Sequence, residues 1–206
     1  MLTCFDVANY FLVLVDKEAG DIITNLKLQK LLYFTQGASL AIFNKPLFKE
    51  EIAAWQHGAV VPKLYSETRR FENNPIPAPC EMDFDIYTQQ EKELIYKVHS
   101  IYGEHSASYL RNQNHQHSIW CESFSKEDPI ITKEAIKNYF SKIISPDFLS
   151  ISNNDKKYII EAEDRWWMNY DSGEPVEDVT EEVNKIIDLF LEDREKYIST
   201  CVEMDI

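Results

Sequence analysis

A mainly α-helical, compact multi-helix bundle with a small β-hairpin or short sheet, extended by an acidic helical C-terminus, is the fold class this sequence predicts. Three observations predict it. Apolar residues recur at i, i+3, i+4 and i+7 through most of the chain, with Ser or Thr placed to cap the resulting segments. One stretch near residue 50 alternates with period two instead. The 206 residues are 44% hydrophobic and 13% aromatic, enough to build one core of ordinary domain size.

The elements follow in order. Residues 3–18 place Phe5, Val7, Ala8, Phe11, Leu12 and Val15 on one side of a helix. This stretch carries Asp6 and Asp16 and lacks a basic leader, so it reads as a first core helix rather than a signal peptide. Gly20-Asp21 breaks the chain. TNLKLQKLLYFTQG (24–37) then opens a second helix on an N-cap at Thr24 or Asn25. Leu28, Leu31, Leu32, Thr35 and Ala38 form its burying stripe, and the spacing puts Lys27 and Lys30 off that stripe. Tyr33 and Phe34 widen the apolar face, which predicts a central helix packed on more than one side. Gly37 is expected to loosen the helix late, and Lys45-Pro46 to end it.

In LFKEEIAAWQHGAVVP, Ile52, Ala54 and Gln56 alternate against Ala53, Trp55 and His57, which predicts a short strand with a turn at Gly58. A short helix starts just past Pro62. Residues 72–88, with Pro75, Pro77 and Pro79, read as a loop or as a hairpin partner for 50–57. Thr88 with Glu91 makes a capping box for a helix over 89–102. Further helices follow over SASYLRN and from Thr132, the latter with Ile136, Tyr139, Phe140 and Ile143 as its apolar set. Ser145-Pro146 closes a unit of residues 1–145. Residues 146–206 form the extension, in which Val179, Val183, Ile186, Ile187, Phe190 and Leu191 mark an amphipathic helix.

The formal charge is −14, and residues 155–206 carry 16 Asp and Glu against 6 Lys and Arg. That excess argues against direct nucleic-acid binding, which needs clustered cations, and favours attraction to a basic partner. No run of about 18 apolar residues predicts a membrane span. Cys4, Cys80, Cys121 and Cys201 are far apart with no C-x-x-C pair, the pattern of idle thiols in a reducing cytoplasm.

Catalytic patterns are sparse. Five glycines make neither a dinucleotide-binding loop nor a phosphate loop. His99, His105, His115 and His117 match no metal-ligand spacing, and NQNHQHS reads as a polar loop with surface or capping histidines. Cys121 near His115 or His117 suggests a nucleophile and base only weakly, and Glu161, Glu163 and Asp164 read as a solvated helix face. No cofactor or metal is expected. Trp166 and Trp167 point about 100° apart on a helix, so one can pack inward while the other faces a partner.

Taken in order, the first 145 residues resemble the Panacea-domain family of SocA-like antitoxins. The blocks are VANYFL (7–12), ITNLKLQKLLYFTQG (23–37), KPLFKEEIAAWQHGAVVPKLY (45–65), YGEHSASYL (102–110), HQHSIW (115–120) and ITKEAIKNYF (131–140). Three departures stand out. The family's Gly-Pro-Val turn is Gly58-Ala59-Val60. The Thr and Glu of its T-H-x-E-x-P-W block are Asn114 and His117. The proline of that block is Ile119, while His115 and Trp120 remain. The resemblance implies a helical scaffold built on residues 24–37, with Trp55 and Tyr65 close to it. It also implies a cytoplasmic antitoxin that binds a cognate protein toxin and, in some members, delivers it to a protease, with no catalytic residues to carry over. The acidic charge balance adds that the toxin is basic. Candidate partner-contacting residues are Lys27, Lys30, Tyr33, Trp55, His115, Trp120, Trp166, Trp167 and Tyr170. Two alternatives remain open: an enzyme with a His/Cys site at His115, His117 and Cys121, and a phage or mobile-element protein acting on a host factor.

Overall fold

A computed structural model describes residues 1–16 and 20–171, with the backbone alone at 146 and 168–171. The amphipathic segment around Val179–Leu191, Cys201 and the Tyr170 side chain lie outside the described residues. Residues 1–171 form one compact unit.

Helix α1 (Cys4–Leu14) starts at Thr3, whose hydroxyl and amide share a capping box with Asp6. Helix α2 (Asn25–Phe43) is capped by Thr24 and closes on Asn44 in the left-handed conformation (φ 55°). It runs through the middle of the molecule. Packed around it are α1, α3 (Pro62–Thr68), α4 (Gln89–Tyr102), α5 (Ala107–His115), α7 (Lys133–Ile143) and strand β2 (Gly58–Val60). The expected capping box at Thr88 and Glu91 opens α4.

Encirclement corrects two expectations about α2. Lys27 and Lys30 do not lie off the buried face, because α2 is covered all round and both are buried. Nor does Gly37 loosen the helix: a Cβ there would lie 2.5 Å from the Phe140 ring of α7, so glycine lets the two helices approach.

The sheet is three-stranded and antiparallel, in the order β2-β1-β3, with β1 at Ile52–Trp55 and β3 at Ile130–Ile131. Ala54 faces Ala59 across the β1–β2 pair, and Ile52 faces Ile131 across β1–β3. The turn falls at Gln56-His57, one step earlier than expected, and Gly58 opens β2 with φ 96°. Residues 72–88 are not the hairpin partner. Three prolines remove the amides a ladder needs, and the segment instead buries Phe84 edge-on against Tyr10.

The stretch that reads as a polar loop, NQNHQHS (112–118), is instead the last turn of α5 and the junction to helix α6 (Ser118–Phe124). Helix α8 (Asn153–Asp171) packs on α1 and α4 through Ile159, Ala162 and Trp166. Its Glu163 accepts from Tyr10 Oη at 2.6 Å and pairs with Lys92 Nζ at 2.9 Å, so this acid is not part of a solvated face. No helix among the described residues is long and apolar enough to cross a membrane.

Candidate functional site

The polar residues of α2 hold the backbone of its neighbours. Gln29 and Gln36, seven apart and so on one face, reach two loops. The Gln29 carbonyl accepts from the Val61 amide at 2.8 Å. The Gln36 carbonyl accepts from Leu47 at 2.8 Å, while its amide donates to the Phe48 carbonyl at 2.9 Å. Asn25 accepts from Gln29 at 3.2 Å and from Thr68 at 2.8 Å. Lys27 donates to the Ile22 carbonyl at 3.0 Å and pairs with Asp21 at 3.4 Å. Each buried polar group thus replaces water with a protein partner, which is what makes such burial tolerable.

Lys30 is the extreme case. It is 0% exposed, and its ammonium donates to the Ala59 carbonyl at 2.9 Å. Burial, helped by the like charge of Arg111, pushes its pKa down to about 7. Lys30 lies directly beneath the turn, since a Cβ on Gly58 would fall 2.7 Å from Nζ. Asn114, from the last turn of α5, accepts the Ala59 amide on its Oδ1. The orientation of that amide follows from Ala59 being the donor, and it leaves Asn114 Nδ2 buried without a partner. Both backbone groups of Ala59 are therefore held by side chains, one from α2 and one from α5.

Aromatic side chains surround this turn at the surface. Trp55, 36% exposed, meets Tyr65 edge-on at 5.0 Å. Trp120 donates from Nε1 to the Trp55 carbonyl at 3.2 Å. Its ring stacks on His115 at 4.1 Å and on Phe124 at 4.9 Å, and Phe124 is 45% exposed. Burial and then the charges of Arg111 and Lys30 lower the pKa of His115, against an opposing pull from the Gln56 backbone. His115 Nε2 is buried without a hydrogen-bond partner.

The four histidines meet different partners. His99 contacts Asp21 at 3.2 Å, and His105 stacks near Tyr109 at 4.3 Å. His117 is neither a surface histidine nor a side-chain cap. It is buried with Nδ1 2.9 Å from Tyr33 Oη, and burial lowers its pKa to about 4. The Cys121 thiol donates to the His115 carbonyl at 3.3 Å, while the His115 imidazole lies on Trp120. Among the described residues, no three His, Cys, Asp or Glu gather as a metal site.

The candidate contact residues therefore divide. Lys27, Lys30 and Tyr33 are interior and present almost no surface to a partner. Trp55, His115 and Trp120 converge at the turn. Trp166 is buried against Phe84 and donates to the Pro79 carbonyl at 2.9 Å, while Trp167 is 51% exposed. These two lie on α8, a different element from the β1 and α6 positions of Trp55 and Trp120. Sequence reasoning missed Arg111 and Phe124. The spacing of Trp120 and Phe124, one helical turn apart, was the available signal for the latter.

Residues 28–121 match the family described as antitoxin SocA-like, Panacea domain. No curated protein and no solved structure matches the chain. The matched segment starts early in α2 and ends within α6, so it takes in Lys30, Trp55, Ala59, Arg111, Asn114, His115 and Trp120. The segment that is similar to the SocA-like Panacea domain, residues 28–121, contains most of the central helix and nearly every side chain that meets at the turn.

Proposed function

We propose that this chain is an antitoxin that neutralises a cognate protein toxin by direct contact, and that the contact is made around Trp55, His115 and Trp120. The family match supports an antitoxin role in general terms. The observation that carries the surface is the stack of half-buried His115 and Trp120 on exposed Phe124, beside exposed Trp55, set on a base immobilised by Lys30 and Asn114. Large aromatic groups held in one geometry lose little entropy on binding and dominate interface energies. The net charge of −14 supports a toxin of basic overall character, attracted at long range. Binding rather than catalysis is the role. Delivery of the captured toxin to a protease is a later step that such a complex permits.

The test is co-expression with the product of the reading frame adjoining its gene. Growth arrest by that product, relieved by this chain with co-elution of the two, is the expected result. A harmless or non-binding neighbour overturns the reading. Rescue persisting in a protease-deficient host separates simple inhibition from delivery.

A further inference from the structure

The local charge at the turn opposes that of the whole chain. In a protein of net charge −14, the largest charge effects on His115 come from Arg111 and Lys30, with His57 after them. Among the described residues, neither Arg111 nor Lys30 has a carboxylate within 4.0 Å. Arg111 is half-buried, and among the described residues its guanidinium bonds only to the side chain of the adjacent Asn112, at 3.0 and 3.2 Å. A planar fork of donors with no anion is a poor use of arginine unless an anion arrives.

One polar atom lies unpaired behind this surface. Among the described residues, Asn114 Nδ2 is a buried donor without an acceptor. Around these groups the surface is aromatic, from Trp55 to Phe124. Cation and aromatic surface side by side suit an anionic side chain carried on an apolar segment.

We propose that this face recognises an Asp or Glu side chain of the toxin, held by Arg111, with flanking apolar residues lying on Trp55, Trp120 and Phe124. The inference rests on the antitoxin reading. It adds that a basic toxin, steered by long-range charge, is registered by an acidic anchor. Lys30, fully buried, contributes its field rather than a contact. Burial and then the like charge of Arg111 hold its pKa down.

The experiment measures toxin affinity by titration calorimetry for the full chain and for Arg111→Glu, Arg111→Lys and His57→Glu. Ile160→Lys, on an exposed position of α8, serves as control. Arg111→Glu is expected to weaken binding about tenfold or more, and Arg111→Lys to weaken it less. His57→Glu, at an exposed turn position, lowers affinity even if Arg111→Glu proves unstable. One toxin Asp or Glu changed to Arg is expected to restore binding to Arg111→Glu. Unchanged affinity in folded Arg111→Glu and His57→Glu overturns the inference while leaving the antitoxin reading intact. Weakening that no toxin charge reversal restores overturns the carboxylate assignment. If the wild-type chain neither binds nor rescues, the antitoxin reading itself fails, and this inference with it.

Discussion

Ala59 and Asn114 are joined by a hydrogen bond in which the Ala59 amide donates to the Asn114 side-chain carbonyl, and both positions depart from the Panacea pattern. Where the family carries proline, no amide exists to be satisfied. Alanine brings one into a buried turn, and asparagine supplies the acceptor that it needs. The two departures thus compensate each other. Ala59→Pro alone is expected to leave Asn114 without any partner and to destabilise by about 1–3 kcal/mol. Combining it with Asn114→Thr should recover much of that loss. A double-mutant cycle by urea denaturation checks this, and a coupling below about 0.5 kcal/mol would mean that the two positions act independently.

Lys30 is buried with a pKa lowered from 10.5 to about 7. Above pH 7 the unfolded chain holds a proton here that the folded chain releases, so stability rises with pH toward 10.5. Buried Cys4, whose pKa is raised from 9.0 to about 12, acts in the opposite sense above pH 9. Between pH 7 and 8.5 the wild-type melting temperature should therefore rise relative to Lys30→Met. At about 2–4 °C per kcal/mol for a chain of this size, the difference is readable by calorimetry.

His117 behaves as a buried neutral base. Its pKa falls from 6.5 to about 4, so the unfolded chain takes up a proton that the folded one refuses as pH drops across that interval. Stability should decline from pH 6.5 to 4, by an amount on the order of 3 kcal/mol. His117→Gln should flatten that slope and leave the steeper loss below pH 4, where Asp21 and Glu50, both with lowered pKa, protonate. Equal slopes for the two proteins would show that His117 is not the titrating group.

Gly37 allows Phe140 to lie on the backbone of α2. Gly37→Ala should raise helix propensity yet destabilise by about 1–3 kcal/mol through overpacking. Phe140→Leu in the same chain should relieve the clash. Stabilisation by Gly37→Ala alone would show that the interface yields.

Ending the chain at residue 145 removes Ile159, Ala162 and Trp166 from the core and strips Tyr10 and Lys92 of Glu163. The shortened protein should melt lower than a chain ending at 171 and bind a hydrophobic dye. Identical melts would make α8 dispensable for the fold.

Much of the scaffold was legible because local chemistry specifies it. Thr88 with Glu91 and Thr132 announce helix starts through their own side chains, and Leu28, Leu31 and Leu32 announce a buried face through spacing alone. Helix α6 was not legible, because His117 at its N-cap makes no capping hydrogen bond and the polar residues around it read as a loop. At the site, Trp55 and Trp120 could be nominated as exposed aromatics, but their meeting depends on β1 and α6 lying side by side, 65 residues apart in sequence.

By itself, then, the sequence determined a helical class, the caps, the acidic balance and the resemblance to an antitoxin family, since these reside in residue types and short spacings. The tertiary structure decided which side of α2 faces water, and the answer was none. A lysine on a helix is ordinarily taken for a solvated residue, because transferring its charge from water is unfavourable. Only when five helices and a strand close around α2 does Lys30 find the Ala59 carbonyl as its partner and lose its usual proton affinity.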